Sequence, residues 1–378
     1  MTQPVGQQSP DVGEAIRCRV RERAGDWFPG VGAAPEIRLR RLVERPRAVL
    51  YAVHVDGGAR PLVLAKVRRG HPGRDGGAPP GARPRLATGS LPAAELSALE
   101  YTGLQAIQEV FDHGDPRFAV VRPLDHLAGH DTILMEHVDA PTLRRLVLHG
   151  NRFSPRRRRT APSGTAAACR AAGSWLGRYQ RELAPEGRPE RQATRTSVVA
   201  AFAAYDAFLG SAVGPRAAGD VALRGGELAG QLYPEQLPMA VGHGDYAPRN
   251  MFVRNDGRLA VFDPLPRWLV PRYDDLARLL VAIRVQGVQV HTHGAAFSAA
   301  ELDAREDDVL AGYRAEQHLP LPELRCYQLL ITLDRWCALV DGPATGWRGR
   351  VRGASVHRAS GYLRGEAERL LRSISSGT

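Results

Sequence analysis

The sequence predicts an α+β protein, a small and largely antiparallel sheet followed by a larger, mainly helical region. Three observations carry this expectation. β-rich runs dominate from Ile37 to Val138, apolar residues at helical spacing dominate after that, and one strand pair interrupts the helices between residues 241 and 263. A chain of 378 residues can bury a large core, and its 40 Gly and 28 Pro point to several exposed connections.

Residues 1–35 read as an N-terminal extension, with a short amphipathic helix from Val12 to Arg23 and with Trp27 and Phe28 as anchors onto the main body. Residues 36–138 form the small lobe. A β run passes through Leu39, Arg41 and Val43, a second covers Val49 to Val55, and a third covers Leu62 to Val67. The Asp56-Gly57-Gly58 step between the last two is a hairpin signal. Residues 69–90 hold too little apolar material to pack and read as a flexible insert. A helix is expected from Pro92 to Phe111, with Leu96, Leu99, Leu104 and Ile107 on one face, and then strands at Phe118 to Val121 and Ile133 to His137.

Residues 139–378 form the helical lobe, with helices expected at Thr142 to His149, Thr165 to Glu182, Ser197 to Leu209 and repeatedly from Tyr273 onward. The run Arg156 to Arg159 reads as a solvated basic loop.

The formal charge of +11 raises the question of a polyanionic partner. Lys66 is the only lysine among 51 basic residues, and the arginines are scattered through helices and loops alike, which argues against a nucleic-acid surface. The same bias makes Lys66 informative, because a compact, movable ammonium does what a guanidinium does not. The four cysteines are widely spaced and include no C-x-x-C pair, so a reducing, cytoplasmic setting is expected. No apolar run reaches about 18 residues without a charge, so no membrane span is expected.

The chemistry is concentrated in residues 241–263, VGHGDYAPRNMFVRNDGRLAVFD. Met251 to Val253 and Leu259 to Phe262 read as two strands joined by the Asn255-Asp256-Gly257 turn. Such a hairpin brings Asn250, which precedes one arm, beside Asp263, which closes the other. Asp245 lies on the loop before them. Two carboxylates and an amide oxygen suit a hard cation such as Mg²⁺. Phosphoryl transfer needs such a metal, a carboxylate to orient and deprotonate an attacking hydroxyl, and a cation on the phosphate chain. Asp263 and Asn250, Asp245, and Lys66 supply them in that order.

His243-Gly244-Asp245, Asn250 five residues after the aspartate, and Asp263 at a strand end resemble the catalytic and metal segments of the aminoglycoside phosphotransferase family, whose wider relatives are the choline kinases and protein kinases. The resemblance covers about residues 36 to 290. It implies a two-lobed protein-kinase-like fold, with a catalytic loop at residues 243–250 and a metal segment at residues 261–264. It also implies ATP or GTP and Mg²⁺ as cofactors, and transfer of the γ-phosphoryl group to a small-molecule hydroxyl. Asp245 takes the place of the catalytic aspartate, and Asn250 and Asp263 those of the metal ligands. Asp275, in Tyr273-Asp274-Asp275-Leu276-Ala277, takes the place of a carboxylate that braces the catalytic loop. Lys66 lies where kinases hold the lysine on the nucleotide phosphates, with Glu100 as its first-choice partner and Glu95 as the second. Residues 133–143 resemble the adenine-binding hinge, which would act through the Glu136 carbonyl and the Val138 amide.

The chain departs from the family pattern at Tyr246, Ala247, Pro264 and Val270-Pro271-Arg272, and no glycine-rich phosphate loop joins the first strands. The changes at Tyr246, Ala247 and Pro264 remove no charged group, whereas Val270-Pro271-Arg272 stands where the family usually has Gly-Asp-Pro. His243 is expected to be a structural hydrogen-bonding residue. Asp303, Glu306, Asp307, Asp308, Glu323 and Asp334 are available to recognise a cationic acceptor, and Trp268 to line its pocket. Three functions remain open: an antibiotic kinase; the same chemistry on a sugar, polyol or amino-alcohol; and a nucleotide-binding pseudokinase or basic scaffold.

Overall fold

Five strands form one antiparallel sheet in the order β1-β2-β3-β6-β5. They are β1 (Ile37–Arg45), β2 (Ala48–Val55), β3 (Val63–Arg68), β5 (Pro123–Leu127) and β6 (Thr132–Glu136), while β4 (Phe118–Val120) lies elsewhere. The computed structural model describes residues 11–69, 83–86, 91–112, 114–153, 164–341 and 346–375, without the side chains of 346–355. The run Arg156 to Arg159 and most of the 69–90 insert lie outside the described residues. The chain divides into two compact units, one drawn from residues 1–74, 89–109 and 120–139, the other from 75–88, 110–119 and 140–378.

In the first unit, strand alternation decides what each sheet face does. Successive side chains on a strand point to opposite faces. Val53 and Val55 of β2, Val63 and Ala65 of β3, and Leu134 of β6 join one core with Ile16, Val20, Ala24 and Trp27 of helix α1 (Val12–Trp27). The N-terminal extension therefore carries a helix that completes this core, four residues longer than the sequence suggests. Arg19 pairs with Asp125 at 2.6 Å, and Arg122 donates to the Trp27 carbonyl at 2.7 Å. The opposite face of β3 carries Lys66 and Arg68 toward helix α2 (Ala93–Phe111). The Asp56-Gly57-Gly58 turn has Asp56 and Gly57 in the left-handed region, at φ 51° and 69°. This is the hairpin geometry such residues favour.

Two differences from the sequence expectation concern this sheet. Its fifth strand is β5, a segment beginning with Pro123 that does not announce itself by alternation. β4 does not join it at all, pairing instead with β9 (Leu259–Val261), which in turn pairs with β8 (Met251–Val253).

The second unit is built on helices α3 (Leu143–His149), α4 (Thr165–Glu182), α5 (Arg195–Val213), α6 (Pro215–Ala218), α7 (Val221–Leu232), α8 (Tyr273–Arg284), α9 (Gly287–His291), α10 (Ala299–Arg314), α11 (Leu321–Val340) and α12 (Gly346–Ser375). Strands β7 (Met239–Val241) and β10 (Leu269–Pro271) pair antiparallel. The α4–α10 crossing is unusually close. A Cβ on Gly173 would sit 1.9 Å from the Val309 carbonyl oxygen, and one on Gly312 1.9 Å from that of Arg170. Glycine at both positions lets the helix backbones touch. Among the described residues α5 is the one helix long and apolar enough to cross a membrane. It also carries Asp206 and buries Val198, Phe202, Tyr205 and Leu209.

Candidate active site

In the first unit, β3 and α2 bring the sole lysine to a buried carboxylate. Lys66 Nζ lies 2.7 Å from Glu100 Oε1, and Glu100 is fully buried. Arg68, two residues along the same strand face, donates to Glu100 Oε2 through Nε at 2.8 Å and through Nη2. Of the two expected partners, Glu100 is the one in place, while Glu95 is exposed. Arg68 was missed from the sequence, although the i, i+2 spacing from Lys66 is a usable signal. One carboxylate shared by two cations is held firmly, and removing it would leave both charges uncompensated.

The end of β6 holds the other first-unit candidates. Glu136 N–H donates to the Arg122 carbonyl and His137 N–H to that of Leu62, so the chain is fixed on both sides up to His137. Val138 N–H meets no acceptor among the described residues.

In the second unit, the segment from His243 to Asp263 folds back on itself. Phe262 N–H donates to the Asn250 carbonyl at 3.0 Å, closing the hairpin and bringing Asp263 beside Asn250. The Asn250 amide nitrogen donates to Asp245 Oδ2 at 2.8 Å and to the Asp245 carbonyl at 2.9 Å. That orientation turns the Asn250 carbonyl oxygen away from Asp245. Asp263 has φ 64°, a left-handed conformation that a non-glycine residue rarely adopts and that clusters at functional sites. The donor set is therefore an amide oxygen and a carboxylate at one hairpin end, with a second carboxylate one hydrogen bond away. Hard oxygen donors of this kind fit Mg²⁺.

Arg249, four residues after Asp245, binds its Oδ1. A carboxylate offers about four lone-pair positions, so Arg249 and Asn250 orient the group without exhausting it. Arg249 was not singled out from the sequence, and its i, i+4 spacing is the signal that could have found it.

The loop is braced from behind. Asp275, at the start of α8, accepts from the His243 backbone N–H at 2.5 Å. Burial, and then the neighbouring Asp274 charge, push the Asp275 carboxyl up to about 7. Asp274 is held below the usual range: burial opposes this, and Arg278, 2.6 Å away, and Arg191 outweigh it. Gly244 has φ 84°, and a Cβ there would stand 2.7 Å from the Leu265 carbonyl oxygen, so the turn before Asp245 requires glycine. Where the family pattern has other residues, Val270-Pro271 forms β10 against β7, and the Tyr246 hydroxyl donates to the Ala172 carbonyl at 2.6 Å.

His243 corrects an expectation. Neither ring nitrogen has a hydrogen-bond partner among the described residues. The ring is fully buried, 5.4 Å from that of Tyr246 and 6.0 Å from that of Trp175. Burial pushes its pKa down to about 4 against the opposing pull of Asp245 and Asp263, so it packs as a neutral aromatic.

The acidic residues proposed for an acceptor are largely occupied. Asp303 binds Arg284, Asp308 lies 2.9 Å from Arg170, and Asp334 accepts from the Tyr205 hydroxyl at 2.9 Å. Glu306 is buried, and Arg325 and Arg284 offset that burial so that its pKa lies below the usual range. Trp268 lies under the Arg267 guanidinium, 4.6 Å from the ring centre.

No protein-family model matches the chain, and no curated protein matches it. Solved structures do match. A choline/ethanolamine kinase family protein from Mesorhizobium loti is 14% identical, with TM-score 0.51 over 97% of this chain and 100% of that one. A macrolide 2'-phosphotransferase from Brachybacterium faecium is 14% identical, with TM-score 0.50 over 93% and 97%. A glucosamine kinase is 19% identical, with TM-score 0.51 over 89% of this chain and 76% of that one. The chain has the kinase-like fold that these proteins share, an antiparallel-sheet N-terminal region followed by a larger helical region.

Proposed function

We propose that the protein is a small-molecule kinase that transfers the γ-phosphoryl group of ATP, or of GTP, to a substrate hydroxyl. The observation that carries this reading is the hairpin end that holds Asp245, Asn250 and Asp263 together within a kinase-like fold. That the matched structures are named as kinases and phosphotransferases of small molecules supports the same class.

In the first unit, Lys66 is assigned to the nucleotide phosphates, with Glu100 holding the ammonium in place. The Glu136 carbonyl and the Val138 amide are assigned to the adenine. In the second unit, Asn250 and Asp263 would hold Mg²⁺, which when bound neutralises phosphate oxygens and aligns them for in-line displacement. Asp245 orients the acceptor hydroxyl and takes its proton as the new oxygen–phosphorus bond forms. The bond from that phosphorus to the bridging oxygen breaks, and the nucleoside diphosphate leaves with the electron pair. Arg249 and Asn250 keep the Asp245 carboxylate pointed at the hydroxyl. Proton transfer to a positioned carboxylate is worth about 10²- to 10⁴-fold in rate. A cytoplasmic setting fits the four cysteines, none of which is in a disulfide.

The test combines a binding and a turnover measurement. Mg²⁺ with ATP or GTP should raise the melting temperature of the wild-type chain, because a ligand of the folded state stabilises it. Lys66→Ala should lose that rise. Asp245→Ala should keep it while losing about 10³-fold in transfer. No nucleotide-dependent rise in the wild type would favour a scaffold, and retained turnover in Asp245→Ala would remove that residue from its role.

A further inference from the structure

Beside the catalytic loop, within the second unit, lies an open cleft of about 300 Å³. Its wall includes Arg144 of α3, Arg249 of the catalytic loop and Arg335 of α11, together with Val281, Val285 and Gln286 around the end of α8. No aspartate or glutamate lines it among the described residues. Arg249 is the connection to the chemistry, since the guanidinium that faces the cleft also binds Asp245.

Arg144 and Arg335 have neither a hydrogen-bond nor an ion-pair partner among the described residues. Arg144 is exposed, so that costs it little, but Arg335 is half-buried. Burial, with the nearby Arg278 and Arg249 charges, holds its pKa below the ordinary arginine value, and the longer-range pull of Asp334 and Asp245 only partly offsets this. A desolvated guanidinium without a carboxylate is unfavourable unless something outside the chain completes it. Other enclosed arginines of the second unit are matched, Arg284 with Glu306 and Glu366, Arg325 with Glu306 and Arg278 with Asp274, while Arg305 has no ion pair among the described residues and lies over the Phe297 ring instead.

Building on the kinase reading, we propose that the hydroxyl acceptor is an anion, whose carboxylate or phosphate group docks on Arg335 and Arg144 in this cleft while Arg249 links the cleft to Asp245. Forked guanidinium donors suit planar or tetrahedral oxyanions, and Val281 and Val285 offer apolar wall to the rest of a small polyhydroxy skeleton. A cationic aminosugar or a choline-like acceptor would meet like charge there, which selects against it. Of the acidic groups that could have welcomed a cation, Asp303 and Asp308 are bound to arginines and Asp334 to a tyrosine hydroxyl, and none of the candidates lines this cleft.

The test uses the wild-type chain loaded with Mg²⁺ and the non-transferable β,γ-imido analogue of ATP, read by melting temperature. The analogue alone must stabilise the protein; if it does not, the kinase reading fails, and the acceptor inference with it. Matched probes are then added: glucose, glucosamine, gluconate and glucose 6-phosphate. Gluconate or glucose 6-phosphate should give a further rise, and glucose and glucosamine should give none. The member that responds tells a carboxylate from a phosphate. Arg335→Met and the exposed Arg144→Met should each weaken that anion by about 10- to 100-fold, without altering the rise from the nucleotide analogue. A rise with glucosamine, no rise with either anion, or loss of the nucleotide effect in Arg335→Met would overturn the proposal. The last outcome would assign the arginine to the nucleotide instead.

Discussion

Two of the arginine–carboxylate clusters in the second unit differ in whether the chain closes them. Around Glu306 every charge finds its counterpart inside the protein. Arg325 binds Glu306, Arg284 reaches Glu306, Glu366 and Asp303, Gln328 donates to Glu306 at 2.8 Å, and Arg369 pairs with Glu366 at 2.9 Å. Around Asp245, one carboxylate faces Arg249 directly and Arg335 at longer range, with Arg144 on the cleft wall. The first cluster ties α8, α10, α11 and α12 together. In the second, Arg144 and Arg335 form no ion pair within 4 Å among the described residues. The difference separates charge that holds a fold from charge that performs a reaction, and composition alone cannot draw that line in a chain whose arginines are everywhere.

Breaking the closed cluster should have the largest effect on stability. Glu306→Ala leaves Arg325 and Arg284 without their central carboxylate in a buried setting, where removing one partner of an ion pair costs about 3–5 kcal/mol. Chemical denaturation should show this as a lower midpoint with unchanged slope. A loss below about 1 kcal/mol would mean that Arg284 relaxes onto Glu366 and Asp303, and that the cluster is less interdependent than its geometry implies.

How legible the two clusters were follows from how local their signals are. Lys66, Glu100, Asp245, Asn250 and Asp263 could be picked out because each sits at a strand end, a helix face or a hairpin, features set by a few neighbouring residues. Asn255-Asp256-Gly257 fixes the hairpin wherever the rest of the chain goes. Arg335 could not be found that way, since nothing near it on α11 sets it apart from Arg325, one of the paired arginines. Only the packing of α3, α8 and α11 around Arg249 makes it a cleft residue. The same limit explains β4 and β5: Phe118–Val120 is a short apolar run whose partner, β9, lies some 140 residues downstream, and Pro123 conceals an edge strand. It also explains α1, whose amphipathic pattern showed that it packs but not that it completes the core of the first unit.

Acid should act on the two clusters in different windows. His243, behind Asp245, has a folded pKa of about 4 against an ordinary 6.5, so the unfolded chain binds its proton first. Its contribution to stability is present above pH 6.5 and is lost as pH falls from 6.5 through 4, by about 3 kcal/mol in all. Asp275 runs the other way: with its carboxyl raised to about 7, acidification from 7 toward 3.8 favours the folded state. The two offset each other in the wild-type profile, so the difference from His243→Leu isolates the histidine. That variant should show no loss of this kind between pH 6.5 and 4. Glu306, whose pKa is lowered, begins to cost stability only below its ordinary 4.5. A wild-type-minus-variant difference that is flat with pH would mean that His243 is solvated in solution and is not the buried neutral ring described above.

The smallest expected effect is the sharpest discriminator between closed and open charge. Arg335→Met removes a half-buried guanidinium that has no ion-pair partner among the described residues and replaces it with an adaptable apolar side chain of similar length. In the closed cluster such a change would strand a carboxylate; here it strands nothing. The free protein should therefore change by no more than about 1 kcal/mol, and toward greater stability, because the desolvation of an unmatched cation is relieved. Binding of the acceptor should fall in the same variant. A gain in stability beside a loss of acceptor binding is what a site under functional strain produces. If Arg335→Met instead destabilises the free chain by several kcal/mol, the arginine belongs with Arg284 and Arg325 as part of the fold, and the cleft loses its reason to hold an anion.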